Sequence, residues 1–146
     1  MLDDRLPGPV PSQSDAEFWS ACGRHELRLR HCRNCDGWHH PPLPLCPHCQ
    51  GVDMQWRLVE GSAALYSWTR VHVAMHASVT DALPYYIAIV EFLRSPGARL
   101  IAYLDHSGAD PPVIASECEL FWITATGGQP VPAFRTRPRD GAAPAA

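Results

Sequence analysis

Cys32-Arg33-Asn34-Cys35, ten intervening residues, then Cys46-Pro47-His48-Cys49: these two Cys-x-x-Cys pairs decide how the chain is read. Each pair can aim two sulfurs at one point, and two such turns complete a tetrahedron of thiolates. That donor set suits one zinc ion per chain. Four protein ligands leave no position for water, so the zinc is read as structural. The intervening loop carries Pro41, Pro42 and Pro44, which stiffen it. Gly37 and Gly51 follow the pairs and suit a tight reversal. Two alternatives compete. Redox pairs or disulfides would need an oxidising compartment, which nothing suggests. One of His31, His39, His40 and His48 could replace a cysteine as ligand, although the pairs already supply four.

The chain has 146 residues, 46% of them apolar, enough for a core in one domain or in a small module plus a small domain. Its formal charge of −3 gives no global field for nucleic acid or an anionic membrane. The first residues are acidic and lack an apolar run, and no stretch reaches the length of a membrane span. With six cysteines and no leader, a cytoplasmic setting is expected. Cys22 and Cys118 are left over and read as small buried hydrophobes. All twelve basic residues are arginine, so Schiff-base and phosphate-loop lysine chemistry are excluded.

Outward from the cysteines, Ser14 to Glu17 reads as a capping box opening a short helix over about 15–22, with Gly23 to end it. Residues 26–31 alternate polar and apolar, as a half-exposed strand does. Further strand candidates are 54–59, 64–73, 85–92, 99–104 and 118–124, separated by turn residues. Such a series without helical stretches suggests a small, closed or partly closed barrel. The fold class is therefore mostly β with a short N-terminal helix. The expected division is an extended segment and helix over 1–25, a zinc ribbon over 26–52, a barrel over 53–135 and a disordered tail over 136–146.

Catalytic arrays do not emerge. His72 and His76 lie four apart, but in a β pattern that does not present them together. Asp105-His106 lacks a nucleophile motif, and Cys118 lacks a flanking histidine. Arg24, Arg28, Arg30 and Arg33 form a local basic patch, read chiefly as a solvated face.

The ordered set Ser14 to Trp19, Glu26 to Cys35, Pro41-Pro42, Cys46 to Cys49, Trp56, Gly61 to Thr69, Leu83 to Tyr85 and Pro132 to Phe134 resembles a bacterial and archaeal family. That family joins a rubredoxin-like zinc ribbon to an OB-fold (domain of unknown function family thirty-five). The resemblance spans roughly residues 9–135 and implies a helix, a ribbon and an OB barrel. It also implies a role as non-catalytic accessory subunit of thiolase-fold or lipid-transfer-protein-like enzymes acting on acyl-CoA. Such a subunit would help hold the acyl-CoA while the partner supplies the catalytic groups. Two departures stand out. Asp36 and Gln50 follow the second cysteine of each pair where glycine is common, and Ala115-Ser116-Glu117 replaces a glycine-rich turn. The resemblance carries over no CoA motif. On chemical grounds CoA needs cations for its phosphates and a flat apolar face for adenine, which Arg70, Arg94 and Trp68 could supply. The alternative function is a nucleic-acid-binding zinc-ribbon and OB module, since both parts can serve that end.

Overall fold

The alternation over residues 26–31 becomes strand β1 (Arg28–Cys32), which buries Leu29 and His31 and leaves Arg28 and Arg30 half-exposed. The computed structural model describes Leu2 and residues 4–137. β1 is the centre of a three-stranded antiparallel sheet, flanked by β2 (Trp38–His39) and β3 (Met54–Leu58). The expected division placed residues 54–58 with the barrel. The structure pairs them with β1 instead, from Arg28↔Leu58 to Cys32↔Met54, so the ribbon sheet runs on to Leu58.

Helix α1 (Ala16–Gly23) forms where expected, but its ends are made differently. Asp15 and not Ser14 is the N-cap residue, and its carboxylate makes no capping bond. It accepts instead from Ser12 N at 2.6 Å, Ser12 Oγ at 2.7 Å and Trp19 Nε1 at 3.2 Å. The helix is closed by His25, which takes the left-handed conformation (φ 56°) that glycine was expected to supply nearby. Glu26 N then donates to Ala21 O at 3.0 Å. Phe18, Ala21 and Cys22 are buried on the chain's own body.

The second part is a closed five-stranded barrel of β4 (Ala63–Val71), β5 (Tyr85–Phe92), β6 (Arg99–Asp105), β7 (Glu117–Thr124) and β8 (Pro130–Thr136). The order is β4-β5-β6-β8-β7, closing through Ala63↔Cys118. All neighbours are antiparallel except β6 and β8, and this Greek-key closure is that of an OB-fold. β8 was not among the strand candidates, because Pro130 and Pro132 argue against a central strand. They are tolerated where β8 has only β7 beside it, before its pairing with β6 begins at Ala133. Thr136 closes this strand, and Arg137 pairs with Glu117 at 2.9 Å, so both are ordered where a tail was expected. The rest of that expected tail, 138–146, lies outside the described residues.

One apolar cluster unites the parts. Leu27, Leu29 and Trp38 of the ribbon pack with Leu65, Val90, Leu104 and Phe134 of the barrel. A smaller cluster of Leu2, Val79, Ile123 and Ala133 closes the other end. Val79 comes from a 3-10 helix (Ala77–Ala82) inside the 76–84 loop.

Candidate functional site

The four cysteines are brought together by two matching turns. Cys32 N donates to Gly37 O and Cys46 N to Gly51 O, each at 2.9 Å, so the knuckles repeat one geometry. Asp36 (φ 57°) and Gln50 (φ 60°) hold the left-handed position in each. Gly37 and Gly51 are not at positive φ, and a different constraint keeps them small. A Cβ on Gly37 would lie 2.7 Å from His48 Cδ2 and 3.2 Å from Cys35 Sγ. One on Gly51 would lie 3.2 Å from Cys49 Sγ. The departure from the usual glycines thus leaves the turn intact and moves backbone strain onto Asp36 and Gln50.

The sulfurs of Cys32, Cys35, Cys46 and Cys49 all lie within 4.8 Å of one another. Cys32 Sγ and Cys49 Sγ are 3.6 Å apart, as are Cys35 Sγ and Cys46 Sγ. A tetrahedron with Zn–S bonds of about 2.3 Å has edges of about 3.8 Å, so the donor set fits zinc. Backbone amides of Cys49 and His48 point at Cys46 Sγ and pull its thiol down. The site can hold one structural zinc. Two of the nearby histidines engage other groups: His31 Nδ1 meets Gln55 Nε2 at 3.1 Å, and His39 Nδ1 meets Pro41 O at 3.3 Å.

Of the residues suggested for CoA, two are brought together and one is not. Trp68 and Arg70 lie on β4 against Tyr86 of β5. The Trp68 and Tyr86 rings meet edge to face at 5.5 Å, and the Arg70 guanidinium sits 5.8 Å from the Tyr86 centroid. Arg94 follows Phe92, which pairs with Ala63 at the opposite end of β4. Seven residues separate Ala63 from Arg70, roughly 23 Å along a strand. Arg94 lines a cleft of about 360 Å³ with Trp38, Arg57, Leu58, Glu60 and Ser95. Sequence reading missed Arg57 and Trp38, because only the ribbon sheet brings them together, with the guanidinium 5.5 Å from the Trp38 centroid.

The arginines divide by partner. Arg24, Arg28, Arg33, Arg99, Arg135 and Arg137 each reach a carboxylate. Most of the basic patch over 24–33 is therefore paired with Glu17, Glu26 and Asp53. Arg5, Arg30, Arg57, Arg70 and Arg94 make no ion pair among the described residues. Asp105 binds Arg135 at 2.8 Å, while His106 meets Thr136 Oγ1 and Asp110 O, so the two do not form a dyad. Burial pushes the thiols of Cys22 up to about 12 and Cys118 up to about 11, which keeps both protonated and unreactive.

With this geometry in hand, comparison with known proteins adds the following. Residues 19–55 match the ChsH2 rubredoxin-like zinc ribbon domain. Over 131 residues, 88% of its length, the chain is 31% identical to the probable enoyl-CoA hydratase alpha subunit of Thermomonospora curvata. It spans only 39% of that protein. A chain of the Ltp2-ChsH2(DUF35) aldolase superposes with a TM-score of 0.76 at 28% identity, over 88% of this chain and 98% of that one. A DUF35 protein of unknown function from Sulfolobus solfataricus superposes with a TM-score of 0.61 over 86% of this chain and 87% of its own, at 14% identity. That second likeness is one of fold alone. The chain carries a ChsH2-type rubredoxin-like zinc ribbon, and its architecture is that of DUF35 proteins.

Proposed function

We propose that the chain is a non-catalytic accessory subunit of an acyl-CoA enzyme complex. One observation carries this reading: the chain corresponds, nearly end to end, to a chain of the Ltp2-ChsH2(DUF35) aldolase. The likeness to an enoyl-CoA hydratase alpha subunit supports the same substrate class. The partner is a catalytic subunit of thiolase or lipid-transfer-protein fold, acting by thiolysis, acyl transfer or retro-aldol cleavage. The zinc fixes the ribbon, and the ribbon shares its core with the barrel, so the metal serves shape and not turnover. Trp68 and Arg70 offer an aromatic face beside a guanidinium without an acid partner, which suits an adenine next to a phosphate. Among the described residues no helix is long and apolar enough to cross a membrane. A cytoplasmic setting would keep the four clustered thiols reduced and able to hold zinc.

The test is reconstitution. Candidate thiolase-fold or lipid-transfer-type subunits are assayed on acyl-CoA substrates with and without this chain. The expected result is no turnover by the chain alone and a gain in turnover or stability when it joins its partner. Turnover of acyl-CoA by the isolated, zinc-loaded chain would overturn the non-catalytic reading. The nucleic-acid alternative draws little from the basic patch, because Arg24, Arg28 and Arg33 are paired with acids.

A further inference from the structure

We propose that the cleft between the ribbon sheet and the barrel, at Arg57, Arg94 and Trp38, is an anion site that binds a diphosphate group. The chain is acidic, with fifteen carboxylates against twelve arginines, so a guanidinium that meets no acid is informative. Two of the arginines without an ion pair line this one cleft. Arg57 comes from β3 on the ribbon side, and Arg94 from the β5–β6 turn on the barrel side. A guanidinium fork binds an anionic oxygen pair bidentately, and two forks lining one cleft suit a ligand with two adjacent anionic groups.

Both side chains are exposed, and each packs along a neighbour. Arg57 rests over the Trp38 ring at 5.5 Å, and its NH1 lies 3.5 Å from His31 Nε2. The stem of Arg94 crosses Gly61, where a Cβ would come 2.7 Å from Arg94 Cδ. Gly61 is at φ +87°, so both the backbone and the arginine's path require glycine there. Trp38 and Ser95, both buried, belong to the lining of the cleft. Glu60 also lines it, but pairs with neither arginine. Its carboxylate sets an electrostatic opposition to any anion entering. The diphosphate can come from free pyrophosphate or from the nucleotide end of CoA; only the second source rests on the acyl-CoA reading, and it seats the nucleotide in this cleft in place of Trp68 and Arg70.

Calorimetric titration of the zinc-loaded full chain with pyrophosphate, and separately with CoA, tests the site. Saturable pyrophosphate binding is expected, weakening as salt rises. Arg94→Gln should weaken it about tenfold or more, and Arg57→Gln/Arg94→Gln should abolish it. Glu60→Gln should tighten it. Arg99→Gln removes the same charge from a residue already paired with Glu91 and should change affinity by less than about twofold. Zinc content and circular dichroism confirm folding of each variant. If Arg57→Gln does not fold, Arg94→Gln and Glu60→Gln still decide. Absence of saturable pyrophosphate binding, wild-type affinity in Arg94→Gln, or an equal loss in Arg99→Gln overturns the proposal. CoA binding that ignores Arg57 and Arg94, with pyrophosphate binding equally indifferent to them, overturns it while leaving the acyl-CoA reading intact. Pyrophosphate binding with no tighter binding of CoA supports the site and assigns it to a free diphosphate.

Discussion

Removing the zinc should do more than loosen the ribbon. Leu27, Leu29 and Trp38 are 3%, 0% and 7% exposed, and all three belong to the cluster that fills the barrel. Fully burying a side chain of this kind contributes about 1.5–3 kcal/mol. If the ribbon unfolds, the barrel loses all three contacts, roughly 5–9 kcal/mol. A domain of this size has a total stability of about 5–15 kcal/mol. Residues 28–32 and 54–58 have no core apart from this shared one, and metal binding is their main source of folding energy. The assay is chelation with verified zinc loss, followed by thermal melting and amide hydrogen exchange. The expected result is exchange of the β1 and β3 amides within the dead time, and a melting midpoint lowered by roughly 20 °C or more. The reasoning fails if those amides stay protected in the metal-free chain and the midpoint moves by less than about 5 °C.

Four further outcomes follow from named residues. Gln50→Gly relieves a left-handed conformation at φ 60° and should raise stability by up to about 1 kcal/mol, whereas Gly37→Ala crowds His48 and Cys35 and should weaken zinc retention in a competition with a chromogenic chelator. Phe134→Ala, in a position 1% exposed, should cost about 3–5 kcal/mol in denaturant unfolding. Burial pushes His40 down to about 4, with the nearby His39 adding to the effect. Its folded pKa lies below its unfolded value of 6.5, so the unfolded chain binds the extra proton between those values. Neutral His40 therefore contributes stability that is present above pH 6.5 and lost as pH falls towards about 4. His40→Leu should flatten the wild-type stability profile in that window, and an unchanged slope would contradict the assignment.

How much of this was legible in the sequence varies by residue. The cysteine spacing names its own ligand set, because the turn that joins each pair is local. Helix α1 was legible for the same reason, yet its caps were not: Ser12 competes for the Asp15 carboxylate, and His25 takes the conformation expected of glycine. Strand β3 looks like the others in isolation, and only its partner, β1, assigns it to the ribbon. Strand β8 was hidden by Pro130 and Pro132, whose acceptability depends on where β6 stops. Trp68 and Arg70 could be placed together because they alternate along one strand. The meeting of Arg57, Trp38 and Arg94 depends on two sheets and a turn, so no local pattern encodes it.

The central claim is that this chain works inside an acyl-CoA enzyme. Its most direct test is purification of the tagged chain from its native cells, with mass spectrometry and the native mass of whatever co-elutes. The account predicts a near-stoichiometric catalytic subunit of thiolase or lipid-transfer-protein fold that acts on acyl-CoA. A chain that elutes alone, or with nucleic acid in place of an acyl-CoA enzyme, would contradict it.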